Sequence, residues 1–191
     1  PRRLKEAGLD ATHALLSAVV CELTANKLGM NERGRQVLFR AALVMNIGLA
    51  RDQDKLASQS WLPTEVQRRL IREHPQHGVD ILRAMGVLDE QQLDIVRWHH
   101  EQDESAGLAS NLMSRRILRS ADSFVAKMAA RKTRLAMSAL GATQSLFLGA
   151  TPDAENIASA LAAVLGFYPP GTYVQLVNDE KAVVAQRGQR A

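Results

Sequence analysis

The groups best able to do chemistry in this chain are its five histidines, His13, His74, His77, His99 and His100. His74 and His77 fall in EHPQHG, and His99 and His100 are adjacent in RWHHEQDESAG. Asp122 lies in LRSADSF, between apolar residues at helical spacing. Imidazole and carboxylate groups carried on different helices are what a transition metal or an Mn/Fe centre asks of a helical bundle. Helix neighbours point about 100° apart, so two adjacent histidines cannot both sit in the centre of one narrow face. Taken singly, each residue has an ordinary reading: a histidine on an amphipathic helix is usually a surface or core side chain, and an aspartate a surface acid. Spacing alone leaves both readings open.

The elements that must position these groups are mostly helices. Asp10 to Leu28 carries apolar residues at helical spacing (Leu15, Leu16, Val19, Val20, Leu23), with Gly29 where a C-terminal cap belongs. Asn31 can cap a second helix that runs to near Gly48. Residues 50–60 read as a loop or a short helix. Pro63 opens a third helix to His74, where Pro75 predicts a kink or a break because it lacks an N–H. GVDILRAMG continues helically, and Asp89 caps the helix that leads to the double histidine. Residues 102–110 read as loop, Asn111 to about Arg131 as helix, and about Leu135 to Leu148 as another. Thr151-Pro152 starts the last helix, which ends at Gly166. Beyond YPPG, alternation on either side of Asn178-Asp179 predicts a small β-hairpin. The expectation is one all-α domain over 1–191, with a helical core over about 10–166 and a hairpin over about 168–187. It is a bundle of seven or eight helices.

Composition narrows the function classes. At 46% hydrophobic and 23% charged, the chain reads as an ordinary globular protein, and 4% aromatics with abundant Leu and Ala favours helix. A net charge of +4 in short scattered groups is too weak to argue for DNA or other nucleic acid as a partner. The single cysteine, Cys21, allows no disulfide within the chain and reads as a small buried hydrophobe. No apolar run reaches a membrane span and no signal peptide is visible, so a cytoplasmic location is expected. The chain opens on Pro1 rather than Met, as expected for a piece of a longer protein.

The motifs and their order add a resemblance. His13 on a first helix is followed by AALVMNIG, EHPQHG, RWHHE, ILRSADSF and FYPPGTYVQL. This series resembles the HD-GYP family, a branch of the HD phosphohydrolase superfamily that hydrolyses the bacterial messenger cyclic di-GMP. HPQHG matches the family's H-P-x-x-G, WHHE its H-H-E, SADSF its A-D-x-F, and FYPPGTYVQL its Y-P-x-G-x-x-V-x-L. The resemblance implies an all-helical HD-domain-like bundle with a C-terminal hairpin and a centre of two or three Fe or Mn ions. It implies His74, His99, His100 and Asp122 as metal ligands, with His13 a further candidate, and Arg131 and Arg134 of RKTR as candidates to meet phosphate. At a helix end, both His99 and His100 can turn toward one centre while Trp98 packs behind.

The departures from that pattern gather at the chemistry. Where the family has A-L-L-H-D-I-G-K, this chain has AALVMNIGL. Met45 therefore stands for a histidine ligand, Asn46 for the bridging aspartate and Leu49 for a phosphate-facing lysine. Asn carries no charge to hold two cations close, and a thioether suits Fe or Mn poorly. The G-Y-P loop is lost, the span from His99 to Asp122 is shorter, and Val125 stands where a second acid is usual. The reading that results is a degenerate domain, without a catalytic residue set, that binds a protein partner or a nucleotide such as cyclic di-GMP in bacterial signalling. A one-metal phosphohydrolase holding a single Fe, Mn, Zn or Ni ion is the alternative. A further alternative is a structural or homodimerising module without metal.

Overall fold

The computed structural model describes residues 9–186 except 131, 133, 149 and 167. Eight α-helices are found among them: α1 Leu9–Lys27, α2 Glu32–Val44, α3 Ala50–Ser58, α4 Glu65–Ala84, α5 Glu90–Trp98, α6 Leu112–Met128, α7 Ala139–Phe147 and α8 Pro152–Leu165. Two 3-10 turns, Ile47–Leu49 and Ala109–Asn111, link α2 to α3 and lead into α6. Strands β1 (Tyr173–Gln175) and β2 (Lys181–Val183) then pair antiparallel, Tyr173 opposite Val183 and Gln175 opposite Lys181. This is the expected helical bundle with its closing hairpin. No helix among the described residues is long and apolar enough to cross a membrane.

Local chemistry sets most helix starts. The Asn31 side chain accepts from the Gly34 N–H at 2.8 Å, Asp89 accepts from the Gln91 and Gln92 N–H groups, and Thr151 accepts from Ala154 ahead of Pro152. Thr64 and Gln67 form a reciprocal capping box at the start of α4. Gln67 also exchanges hydrogen bonds with Gln59, and Gln59 donates to the Trp61 carbonyl at 3.0 Å. That network fixes the 59–64 segment, which becomes one wall of the cleft described below.

α1 packs against α2, α6 and α8. Its inner face is built from small side chains, Ser17, Ala18, Cys21, Thr24 and Ala25, which are fully buried. Of the apolar ladder visible in the sequence, only Val20 is buried; Leu15, Leu16, Val19 and Leu23 face outward. Both faces of this helix are apolar, so periodicity alone does not say which one turns inward. Small residues turn inward and let neighbouring helices approach closely.

Of the two forms expected for residues 50–60, the short helix is found, as α3. One point differs from the sequence expectation: α4 runs without a break across Pro75. Twenty residues of helix, a buried face and a strong cap hold α4 together across one missing N–H. The 3-10 turn after α2 lies directly against α4. A β-carbon built on Gly48 would sit 2.2 Å from the His74 carbonyl oxygen and 2.7 Å from the Gly78 nitrogen. Only glycine permits that approach. It places Asn46 and Leu49 beside the α4 residue His74.

Candidate metal centre

His74 comes from the middle of α4, and His99 and His100 follow the last residue of α5. Their ring centroids lie 5.3 Å (His74–His99), 5.3 Å (His74–His100) and 4.0 Å (His99–His100) apart. One nitrogen from each lies within 4.8 Å of the others, the only such group of potential metal ligands among the described residues. The adjacent pair sits in the turn that closes α5: His99 keeps a helical backbone (φ −65°, ψ −21°), the Glu101 N–H donates to the Trp98 carbonyl at 3.0 Å, and the two rings lie against each other tilted by 42°.

The orientation of these rings follows from backbone groups left without partners. Pro75 has no N–H, so it cannot supply the helical bond to the carbonyl of Ile71, four residues back. The Nδ1–H of His74 takes that carbonyl instead, at 2.6 Å. His99 Nδ1–H donates likewise to Val96 at 2.7 Å, a carbonyl near the end of α5. Both bonds fix the tautomer and leave Nε2 as a bare lone pair. The Nε2 atoms of His74 and His99 are buried and have no partner. Ligating histidines characteristically anchor the far ring nitrogen on a carbonyl in this way. An orphaned acceptor in the interior costs about 1–3 kcal/mol, which an ion would relieve. The donor set fits a single divalent cation held by His74, His99 and His100. An ion held there by His74, His99 and His100 would supply Lewis acidity.

Electrostatics keep these rings neutral. Burial lowers the pKa of His74 and pushes that of His99 down to about 3, and the proximity of His100 adds to both. His100 is lowered as well, by burial and then by Arg119 against the pull of Asp122. Neutral imidazole is the form that ligates.

Asp122 and His13 are placed differently. They lie on the wall of the same cleft, but His13 Nε2–H donates to Asp122 Oδ1 at 2.8 Å. Burial works to raise the Asp122 carboxyl; the His13 hydrogen bond and the neighbouring imidazoles outweigh it and hold the group below its ordinary value. Asp122 is not part of the mutual cluster of the three histidines. Met45 is wholly buried in the core, whereas Asn46 and Leu49 line the cleft. His77 is exposed and outside the cluster. Arg134 donates to the carbonyl of Ala126, itself a cleft residue, and Arg131 lies outside the described residues.

The cleft over the histidines measures about 290 Å³. Its far wall comes from α3 and the 59–64 segment: Gln53, Leu56, Ala57, Gln59, Trp61, Leu62 and Pro63. Apart from Pro63, expected only to open a helix, none of these residues stood out in the sequence. The apolar run Trp61-Leu62-Pro63 in an otherwise polar stretch was the signal that could have marked them. No Lys or Arg is among the described lining residues.

Pro75 gives a direct test of the orientation argument. Pro75→Ala restores an N–H that competes with His74 for the Ile71 carbonyl. Stability of the metal-free protein is expected to hold or rise, while metal affinity falls about 10–100-fold. Thermal unfolding and a metal titration on the same variant read the two effects separately.

An all-helical bundle gathering three neutral histidines, each from a helix or a helix end, is the class that this fold and site define. A family model described as the HD domain matches residues 3–152, and the chain belongs to that family. HD domains form part of the HD phosphohydrolase superfamily and bind divalent metals. No curated protein and no solved structure matches the chain.

Proposed function

We propose that this chain is an HD-GYP-type domain that has lost two-metal phosphodiester hydrolysis and works as a metal-holding binding module in bacterial cyclic di-GMP signalling. The observation that carries this reading is the pair Met45-Asn46. The resemblance asks for a histidine and a bridging carboxylate there; the chain offers a thioether buried in the core and a neutral amide on the cleft wall. Asp122 is a single carboxylate outside the mutually close group of the three histidines, and one of its oxygens accepts from His13. Two dications placed side by side need anionic ligands between them, and a two-metal displacement cannot be assembled from three imidazoles. With no Lys or Arg in the described lining, the cleft is also a poor cradle for a dianionic nucleotide. The output is therefore assigned to a protein partner.

The open face of the three-histidine cluster favours a second reading, a one-metal phosphohydrolase. A turnover assay separates the two. With Mn or Fe supplied to untagged protein, no hydrolysis of cyclic di-GMP is expected. Metal-dependent turnover approaching about 1 per second, abolished by His99→Ala, would replace the first reading with the second.

A further inference from the structure

α1 is apolar on both sides, and a helix that is apolar all round is ordinarily buried all round. Its inner face, Ser17, Ala18, Cys21, Thr24 and Ala25, is closed against other helices. Its outer face carries Leu15, Leu16, Val19 and Leu23, which remain 55%, 49%, 42% and 39% exposed. These four recur at helical spacing and make one continuous stripe, about 12 Å from end to end. Between Thr12 and Asn26 the only acid is Glu22, and there is no Lys or Arg. Arg35 of α2 pairs with Glu22 at 3.0 Å and donates to Asn26 at 2.7 Å. The one carboxylate beside the stripe is therefore already compensated within the chain.

The symmetry of the stripe says what fits it. An interface between identical copies related by a two-fold axis must be complementary to itself. This stripe has that property about Val19. With Val19 on the axis and two α1 helices antiparallel, Val19 meets Val19, Leu15 meets Leu23, and Thr12 meets Asn26. Apolar residues meet apolar residues, and an uncharged polar pair closes each end. A charged partner would find no counter-charge here, and an extended strand would find no free backbone groups to pair with. Four half-exposed aliphatic side chains amount to a few hundred Å² of apolar surface, the scale at which patches mark interaction sites. Against the roughly 800 Å² per partner of a standard interface, the stripe supplies the apolar core while its polar edges supply the rim. Such a pairing is reversible rather than permanent.

We propose that the outer face of α1 is a self-association surface, on which two copies of this chain pair antiparallel about Val19. The pairing is independent of the histidine cluster and of any ion held there.

The experiment follows the untagged chain by sedimentation velocity from micromolar to sub-millimolar concentration. Chelator is present, so that two copies cannot share an ion. A reversible monomer–dimer equilibrium is expected, with a dissociation constant in the micromolar range. Val19→Glu should weaken it at least about a hundredfold, because two carboxylates would meet on the axis. Val66→Glu, at a 70% exposed position of α4, should leave it unchanged. Thermal unfolding of each variant checks that the fold is kept. Single added cysteines read the arrangement, since the native Cys21 is buried. Under oxidised glutathione, Val19→Cys should form a linked dimer by itself, and Leu15→Cys only when mixed with Leu23→Cys. Two copies of Leu15→Cys would hold their thiols about 12 Å apart along the helices, beyond the reach of a disulfide. A chain that stays monomeric throughout overturns the proposal and leaves the face to a different protein. A dimer unmoved by a folded Val19→Glu variant overturns it as well. Should that variant fail to fold, the cysteine pattern decides: self-linking of Leu15→Cys in place of the mixed pair refutes the antiparallel pairing.

Discussion

Replacing Gly48 by alanine is expected to destabilise this protein by at least about 3 kcal/mol, among the largest effects of any single methyl group here. The added carbon would lie 2.2 Å from the carbonyl oxygen of His74 and 2.7 Å from the nitrogen of Gly78. Both are backbone atoms of α4, so no rotamer can move out of the way. The 3-10 turn must part from the helix, taking apart the junction of α2, α3 and α4. The control is Gly78→Ala. There a β-carbon meets nothing closer than 3.4 Å, which is ordinary contact. A helix-interior Gly→Ala change removes a propensity cost of about 1 kcal/mol, so Gly78→Ala should be neutral or mildly stabilising. Urea unfolding of the two variants tests the pair. Equal effects would refute the account of the close approach. Because the clash falls on the His74 peptide, any folded fraction of Gly48→Ala should also bind metal poorly.

Acid is expected to unfold the metal-free protein steeply, starting near the ordinary histidine pKa of 6.5. Above that value the buried rings and their unfolded counterparts are both neutral, and nothing is lost. Below it the unfolded chain takes up protons that folded His74 and His99 refuse, since burial holds their pKa values down, that of His99 at about 3. Each such group removes about 1.4 kcal/mol of stability per pH unit. While both stay neutral they remove a little under 3 kcal/mol per unit, so the loss begins at once below 6.5 and is large against a total typical of domains of about 5–15 kcal/mol. Asp122 works in the same direction but later: its lowered carboxyl stabilises the fold above the ordinary carboxylate range and stops doing so only as pH drops through its own value. His99→Leu deletes one titrating group at similar volume and should shift the midpoint down by roughly half a unit or more. An acid titration followed by circular dichroism in chelator, with an unmoved midpoint for His99→Leu, would show that this histidine does not carry the effect.

Much of this architecture was legible because it depends on nearest neighbours along the chain. Asn31, Asp89 and Thr151-Pro152 announce helix starts by chemistry that acts within three or four residues, and all three operate as caps. The hairpin was readable from alternation across Asn178-Asp179, and Asp179 does adopt a positive φ of 66°. What needed three dimensions was less visible. α1 could not show that Leu15, Leu16, Val19 and Leu23 point outward, because its small inner residues are chosen by the closeness of other helices. Pro75 reads locally as a kink or a break, yet tertiary packing carries α4 through it unbroken. The site divides in the same way. The motifs HPQHG and WHHE bring His74, His99 and His100 to attention, and the three do meet. That His13 would close on Asp122, 109 positions away, has no local signal at all.

The small inner face of α1 also governs how the chain meets oxidants. Cys21 is fully buried there, and burial, reinforced by Asp122, pushes its thiol well above the usual range. A thiol that is neither ionised nor reachable is a poor nucleophile. Its oxidation must wait for the helix to leave its neighbours, so the rate is set by the opening equilibrium of the fold rather than by the strength of the oxidant. Two copies of the native chain cannot be joined through Cys21, and any cross-linked dimer would mark molecules that had first unfolded.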